Sequence, residues 1–482
     1  MAEHPGGDET SDTRVRRPLT LPVALAVTSS GAIVPGLAFF VAGRRWLGAC
    51  VLGTFAIGAS AAGYLLMERR DLLFRLSVQP HWLTLVSIAG VALGLVWVAT
   101  ILVSQWMLRP RVMSRPQRLV EAFWLAVVCS AVLTPFVVVG NYSAAQKSFI
   151  GDVFAPAAER DSATRPMHVT KEDPWGGRDQ VSILLLGGDA GPDRTGTRTD
   201  SVVVATIDTE TGQTVLFSLP RNLESVPFVE GSPLDKLYPQ GFTGEGDPLE
   251  YMLNAVYGNV PAMHPGVLGK SDNEGADALK LAVSGALGIP IDYYALINLR
   301  GFTELVDAMG GVTVNVNEPI PIGGIEGRQE PEGYISPGPD KELDGFEALW
   351  FARGRYGLDD YNRMRRQRCL INAMIGRADL MTLLTRYKKI LAAGREILET
   401  DIPAEILPAF VDLARLVQDS KVRSVVFERS ERFSPSSPDY EFMHKTVQEA
   451  LSGERPGIKK PGKPRNSLVE KPSDSCAYKP VA

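Results

Sequence analysis

The sequence contains few of the residues from which metal centres and disulfide frameworks are usually built. Its 482 residues include 4 cysteines and 5 histidines. The histidines are scattered, so we expect no zinc site. The formal net charge is only -5 and no long basic run is present, which argues against a nucleic-acid partner. No secretory signal peptide and no internal repeat are visible.

The positions of the four cysteines give little evidence for or against a disulfide. Cys50 and Cys129 fall inside apolar stretches and are interpreted as packing residues. Cys369 and Cys476 lie in the second half of the chain, one in a predicted helix and one in a polar tail. A disulfide between them is permitted by number, and nothing else in the sequence supports it.

The sequence is rich in apolar residues near its amino terminus. Residues 1–19 form a polar tail, and four apolar stretches follow at 20–43, 47–67, 82–108 and 119–140. Each is close to the length of about 20 residues that crosses a bilayer as a helix. We therefore predict a helical membrane region over residues 20–140, with three or four membrane segments.

Arginine placement predicts the orientation of this region. The connection after the third stretch contains Arg109, Arg111, Arg115 and Arg118, which places it on the cytoplasmic side. Everything after about residue 141 then lies outside the cytoplasm, and the tail over residues 1–19 is cytoplasmic if three segments cross. Thr28, Gly31 and Pro35 interrupt the first stretch, which favours a re-entrant hairpin, with four full spans as the alternative.

The remainder of the chain divides into a linker, a domain and a tail. Residues 141–180 lack periodicity and predict a linker. Over residues 181–452, buried strands such as VSILLLGG alternate with helices such as GADALKLAVSGALG. This alternation predicts an α/β domain, in which helices flank a mixed β-sheet. Residues 453–482 are rich in lysine and proline and predict a disordered tail.

The most informative stretch is EALWFARGRYGLDDYNRMRRQR, over residues 347–368. Asp360, Arg363 and Gln367 share one face if they lie on one helix. Arg353 and Arg355 converge only if the preceding helix ends there and the chain turns. Such a set of guanidinium groups suits a phosphate, because arginine binds oxyanions through paired planar donors. The alternatives are a solvated basic face, and an Asp360 that only pairs with Arg363 or Arg366.

A second polar stretch, GGDAGPDRTGTRTDS, joins two predicted strands. No GK[ST] follows it, which excludes a nucleotide P-loop, and the lack of a following helix argues against a dinucleotide fold. Asp189 and Asp200 stand at its two ends with Arg198 nearby, so the pair predicts a magnesium site. The alternative is a pair of loop-capping aspartates. Arg221 directly follows the next buried strand and is a further candidate, although it could be an ordinary surface cation.

Together these motifs resemble the LytR-CpsA-Psr family of bacterial cell-wall enzymes. The resemblance covers about residues 180–452 and rests on LLLGGD, RTDSVVV, SLPRN, DKLYP, DYYALINLRGFTELVDAMGGV, LDGFEALWFARGR and DDYNRMRRQR. The multi-span region is similar to that of actinobacterial members. The resemblance implies an α/β fold outside the membrane that holds a polyprenyl chain, in a multi-pass protein of the cell membrane. It also implies transfer of a glycopolymer from polyprenyl pyrophosphate to the muramic acid 6-hydroxyl of peptidoglycan, forming a phosphodiester.

The resemblance also implies a role for each matching residue. Asp189 and Asp200 match the acids that bind Mg²⁺, with Mn²⁺ as an alternative ion. Four residues match the pyrophosphate site: Arg353, Arg355, Arg363 and Gln367. Arg198, Arg221 and Asp360 are assigned catalytic roles, with Asp360 as the base for the acceptor hydroxyl.

Two positions depart from the family pattern. Asn222 follows Arg221 where the family commonly has an acid, and the loop GFTGEGDPLE contains no cysteine. Two rival functions stay open at this point. One is a regulatory membrane protein that binds polyprenyl pyrophosphate, and the other is a pyrophosphatase acting on the same lipid. The sequence does not identify the glycopolymer.

Overall fold

The computed structural model describes most of the chain, with gaps. The described residues are 19–167, 169–189, 198–377, 389–390, 398–418, 420, 422–452, 469–470 and 476–479; the side chains of residues 189, 198, 200, 299–300, 360 and 469–470 fall outside the description. The chain divides into two compact units. One comprises Met1–Leu73 and His81–Ala144, and the other comprises Phe74–Pro80 and Ala145–Ala482.

Between residues 19 and 153 the chain is mostly helical. Its helices are α1 (Leu21–Ile33), α2 (Leu37–Val41), α3 (Arg45–Glu68), α4 (Arg70–Ser77), α5 (Pro80–Leu108) and α6 (Arg115–Val153). Three of them, α3, α5 and α6, are long and apolar enough to cross a membrane. These three correspond to the second, third and fourth apolar stretches of the sequence. That they cross a membrane, and in which direction, stays a prediction.

The first apolar stretch does not form a long helix. It forms α1 and α2, which are separated by a turn at Gly36 with φ 99°. The 13 residues of α1 extend only about 20 Å, short of the roughly 30 Å of a bilayer core. Polar contacts fix α1 inside the unit: Thr28 donates to Gln105 of α5 at 2.7 Å, and Gln105 donates to Glu121 of α6 at 2.7 Å. That this stretch forms a re-entrant hairpin in a membrane stays a prediction.

The predicted linker over residues 141–180 is wrong for residues 141–153, which are part of helix α6. Helix α6 contains Pro135 in its interior and ends at Val153, three residues before Pro156. The residues that follow belong to the second unit. There the Ser162 hydroxyl and the Ala163 amide donate to the buried carboxylate of Asp277, at 2.9 and 2.8 Å. A buried carboxylate is costly without donors, so these contacts hold the segment in place.

The second unit is built on a seven-stranded mixed sheet. Its order is β11-β10-β3-β2-β1-β4-β9. The strands are β1 (Gln180–Asp189), β2 (Arg198–Asp208), β3 (Thr214–Leu219), β4 (Tyr293–Asn298), β9 (Leu398–Thr400), β10 (Val422–Val426) and β11 (Val469–Glu470). β1 is antiparallel to β2 and parallel to β4, and β3 is parallel to β10. The predicted mixed α/β fold is confirmed.

Two small antiparallel sheets adjoin the helices that follow β4. One pairs β5 (Val312–Val316) with β8 (Gly338–Leu343), and the other pairs β6 (Ile320–Ile325) with β7 (Gln329–Ile335). The helices of this unit are α7 (Pro233–Leu237), α8 (Leu253–Met263), α9 (Glu274–Leu287), α10 (Leu299–Met309), α11 (Gly345–Arg353), α12 (Asp360–Arg377), α13 (Leu407–Gln418) and α14 (Tyr440–Leu451).

Two apolar cores stabilise the unit. In the larger one, Leu184 and Phe217 of the sheet pack with residues of α8, α9 and α14, including Leu279. In the second, Val316 of β5 packs with Phe351 of α11 and Leu370 of α12. The second core fixes α11 and α12 against each other.

The prediction of a disordered tail over residues 453–482 is wrong for two segments. Val469–Glu470 pairs with β10 as strand β11. Cys476 forms a disulfide with Cys369 of α12, with a Cα–Cα distance of 5.5 Å. The amides of Asn315 and Asn317 donate to the carbonyls of Cys476 and Ala477, at 3.0 and 3.2 Å. The covalent link and these contacts supply the stability that the polar composition of the tail does not.

Candidate functional site

The candidate site begins at the carboxyl end of α11. Asp344 caps the start of this helix by accepting from the Glu347 amide at 2.8 Å, and the buried Phe351 fixes its apolar face. The helix ends at Arg353. Gly354 then turns the chain with φ -55° and ψ 127°. Arg353 and Arg355 therefore leave the backbone on either side of a turn, which confirms the expected helix end.

Arg353 and Arg355 differ in their surroundings. The guanidinium of Arg353 lies over the indole ring of Trp350, 5.1 Å from its centroid. Such a contact between a cation and an aromatic face is favourable and limits where the side chain points. The side chain of Arg355 is exposed. The pair thus offers one cation held over an aromatic ring and one exposed cation.

Helix α12 carries the remaining predicted phosphate ligands. Asp359 caps it by accepting from the Asn362 amide at 2.6 Å. Asp360, Arg363 and Gln367 all lie within the helix, so their i, i+3 and i+7 spacing places them on one side. Arg363 is only 2% exposed. The side chain of Asp360 lies outside the described residues, and its role as a base stays a prediction.

Gln367 connects two parts of the site that are distant in sequence. Its amide oxygen accepts from the Ser201 hydroxyl at 3.1 Å, and its amide nitrogen donates to the Ala352 carbonyl at 3.1 Å. Ser201 follows Asp200 directly, and Ala352 precedes Arg353. Gln367 therefore connects the predicted metal-binding strand to the turn between α11 and α12. This bridging contact was not predicted, since sequence reasoning assigned Gln367 to the pyrophosphate alone.

The sequence predicted for Arg366 no role other than a possible salt bridge with Asp360. Arg366 is 8% exposed, and its Nη2 donates to the Gly354 carbonyl while its Nε donates to the Asn362 carbonyl at 3.3 Å. Its guanidinium lies 5.9 Å from the centroid of the Phe351 ring. Burial lowers the pKa of Arg366 to about 10, so the group is still charged at neutral pH.

The backbone register places the predicted metal acids at one end of β1 and β2. Position 189 pairs with position 198. The pairing register shifts between Gly187 and Gly188, so that Asp200 lies between the partners of these two glycines, Thr199 and Ser201. The side chains of Asp189, Arg198 and Asp200 lie outside the described residues. Two acidic residues at one end of neighbouring strands would suit Mg²⁺, which prefers oxygen ligands, and this site stays a prediction. Among the described side chains, no group of three or more His, Cys, Asp or Glu could hold a metal ion.

Arg221 extends the same edge of the sheet. β3 pairs with β2 so that Leu219 lies opposite Val202, and Arg221 comes two residues after Leu219. Its carbonyl accepts from the Asn254 amide at 3.0 Å, which holds the turn against α8. The register thus brings positions 189, 198, 200 and 221 to one edge, and Gln367 joins this edge to the arginines of α11 and α12.

Comparisons with known proteins identify the family of this chain. The sequence model of the LytR_cpsA_psr family matches residues 152–453. Biofilm regulatory protein A of Streptococcus mutans is 27% identical over 285 residues, which are 58% of this chain and 62% of that protein. The polyisoprenyl-teichoic acid–peptidoglycan teichoic acid transferase TagU of Enterococcus faecalis is 30% identical over 247 residues, 50% of this chain and 66% of that protein. The chain thus spans somewhat less than two thirds of each relative.

A solved structure gives a weaker likeness. The crystal structure of protein gbs0355 from Streptococcus agalactiae is 24% identical and covers 61% of this chain and 94% of that one, with a TM-score of 0.41. The assignment of the family therefore depends on the match over residues 152–453, which is well over half of the chain.

Proposed function

Because this chain belongs to the LytR-CpsA-Psr family, we propose that it is a membrane-anchored phosphotransferase of the cell wall. It moves a glycopolymer from a polyprenyl-pyrophosphate carrier to the muramic acid 6-hydroxyl of peptidoglycan. The acceptor oxygen forms a bond to the phosphorus that bears the glycan, and the bond from that phosphorus to polyprenyl phosphate breaks. The products are a phosphodiester and polyprenyl phosphate.

The observation that carries the proposal is the bridge made by Gln367. It joins the strand that bears Asp200 to the turn that bears Arg353 and Arg355, while Arg363 lies on the same helix as Gln367. The contacts of Gln367 thus bring the backbone positions of the proposed cations and acids to one edge of the sheet. A transferring phosphoryl group needs chiefly positioning and stabilisation of its negative oxygens, and this set of groups suits both.

Each group has a distinct part in the proposed reaction. Arg353, Arg355 and Arg363 bind the pyrophosphate oxygens, and Arg198 and Arg221 stabilise the charge that develops on them. Asp360 takes the proton from the acceptor hydroxyl. Asp189 and Asp200 would hold Mg²⁺, or Mn²⁺, which when bound neutralises charge on the phosphate oxygens.

The cellular location belongs to the same proposal. The helices α3, α5 and α6 anchor the chain in the membrane, with the catalytic domain on the outer side. The disulfide between Cys369 and Cys476 supports this placement, since such bonds persist mainly in oxidising compartments. The partners are then a lipid-linked glycan donor and a peptidoglycan acceptor.

Reconstitution of the full chain tests the proposal. The purified protein in liposomes is incubated with a synthetic polyprenyl-pyrophosphate glycan, a peptidoglycan oligomer and Mg²⁺, or with EDTA. We expect a glycan-phosphate-muramyl product that disappears with EDTA and in Arg353→Ala and Asp200→Ala. The control variant is Arg432→Ala, because Arg432 is exposed and outside the site.

The other outcomes discriminate between functions. Free glycan phosphate as the only product would indicate a pyrophosphatase. Bound but intact lipid, with several donors and acceptors, would indicate a regulatory binding protein and would refute the transferase.

A further inference from the structure

Two consecutive residues of α12 hold the peptide carbonyls on either side of Arg353. Gln367 donates to the carbonyl of Ala352 at 3.1 Å, and Arg366 donates through Nη2 to the carbonyl of Gly354. The backbone that bears Arg353 is therefore fixed at both of its neighbours. Neither contact is local, since 15 and 12 residues separate the partners.

Arg366 is suited to this contact by its own surroundings. One of its nitrogens is bonded to Asn362 on its own helix, and the ring of Phe351 lies beneath its guanidinium. Among the side chains that the structure describes, none forms an ion pair with Arg366, and the buried Nη1 of Arg366 lacks a hydrogen-bond partner among them. A buried arginine whose bonds go to backbone carbonyls is not a simple salt-bridge residue.

The planar guanidinium group of arginine makes both contacts possible. It presents donors in fixed directions, so Nε and Nη2 reach two carbonyls at once from one rigid group. Lysine carries the same charge on a single flexible ammonium. Replacing Arg366 by lysine therefore keeps the charge and removes the fixed geometry.

We propose that Arg366 is a positioning residue, which directs Arg353 toward the pyrophosphate by holding the Gly354 carbonyl. This inference rests on the proposed function, because it deepens the account of the same site. Arg366 therefore contributes to pyrophosphate binding only by fixing the position of Arg353. Without the Arg353 side chain, a change at Arg366 should matter little.

A double-mutant cycle on the full chain measures this dependence. The binding of inorganic pyrophosphate with Mg²⁺ is followed by calorimetry for the wild type, R366K, R353A and the double variant. We expect R366K to raise the Kd about fivefold alone and less than about twofold in the R353A background. Arg432→Ala is the control, and R366Q, which buries no charge, takes the place of R366K should that variant fail to fold.

A spectroscopic measurement reports on the position of Arg353 directly. The chain contains 7 tryptophans, and with 5-fluorotryptophan the ¹⁹F signal of Trp350 is assigned by its loss in Trp350→Phe. Because Arg353 lies over that ring, removing Arg353 should shift the signal. R366K should shift it in the same direction, with no further shift in the double variant.

The outcomes separate this inference from the proposed function. An equal loss of affinity in both backgrounds, or an unmoved Trp350 signal in R366K, overturns the positioning role and leaves the transferase standing. A wild-type chain that binds no pyrophosphate overturns both.

Discussion

Replacing Cys476 with serine removes the covalent link between α12 and the carboxyl-terminal segment. The disulfide closes a loop with a sequence separation of 107 residues. On the chain-entropy model a loop of this length stabilises the folded state by up to about 5 kcal/mol, although typical values are about 2–4 kcal/mol. Release of the segment would also remove bonds such as that from the Lys479 amide to Asn317, at 2.7 Å, each worth about 1 kcal/mol.

The expected effect is large enough to measure by thermal unfolding. For a domain of this size the loss corresponds to a decrease in Tm of roughly 4–10 °C. Near-UV circular dichroism of the full chain in detergent follows the unfolding of the second unit. Cys129→Ser is the control, because Cys129 is a free thiol.

The decreases in Tm of the cysteine variants should not add. Cys369→Ser and Cys476→Ser should lower the Tm by similar amounts, and the double variant by no more than either, since all three lose the same bond. A reducing agent should reproduce the effect in the wild type and do nothing to the variants. Equal Tm values for wild type and Cys476→Ser would refute the assigned role of the disulfide.

Three further predictions concern the second unit. Lys280 is 1% exposed and bonded to Asp401 at 2.7 Å, so Lys280→Met should cost about 3–5 kcal/mol in chemical denaturation, and additional replacement of Asp401 by leucine should recover part of it. Burial raises the pKa of Asp208, but hydrogen bonds from Thr211 and Glu210 outweigh it and leave that pKa below its usual value. Asp208→Ala should therefore cost about 1 kcal/mol at pH 7, and the difference should shrink as the pH falls through the lowered pKa; a difference that grows in acid would contradict this. In Gly354→Ala the new Cβ would lie 2.6 Å from the Pro321 carbonyl oxygen, so we expect about 1–3 kcal/mol of destabilisation and weaker pyrophosphate binding, whereas unchanged unfolding and binding would argue against a tightly packed turn.

Features with a local physical cause were predictable from the sequence. The helix end at Arg353 and the shared side of Asp360, Arg363 and Gln367 follow from a glycine and from helical spacing. Strand β1 follows from the apolar run VSILLLGG. The mixed sheet follows from the alternation of such elements.

The failed predictions arose where distant segments meet. Residues 141–180 and 453–482 lack apolar periodicity, so composition alone suggested a linker and a disordered tail. Their order depends on partners elsewhere: Asp277 binds Ser162, and Cys369 binds Cys476. Composition carries no information about such partners.

The sequence by itself determined which kinds of groups the candidate site contains, because arginine spacing, acid positions and helix ends are local properties. Only the tertiary structure decided how they are held together. Gln367 meets Ser201 across 166 residues, and Arg366 holds the carbonyl beside Arg353. These contacts depend on how α11 and α12 pack against each other and against the sheet, and no local pattern specifies that packing.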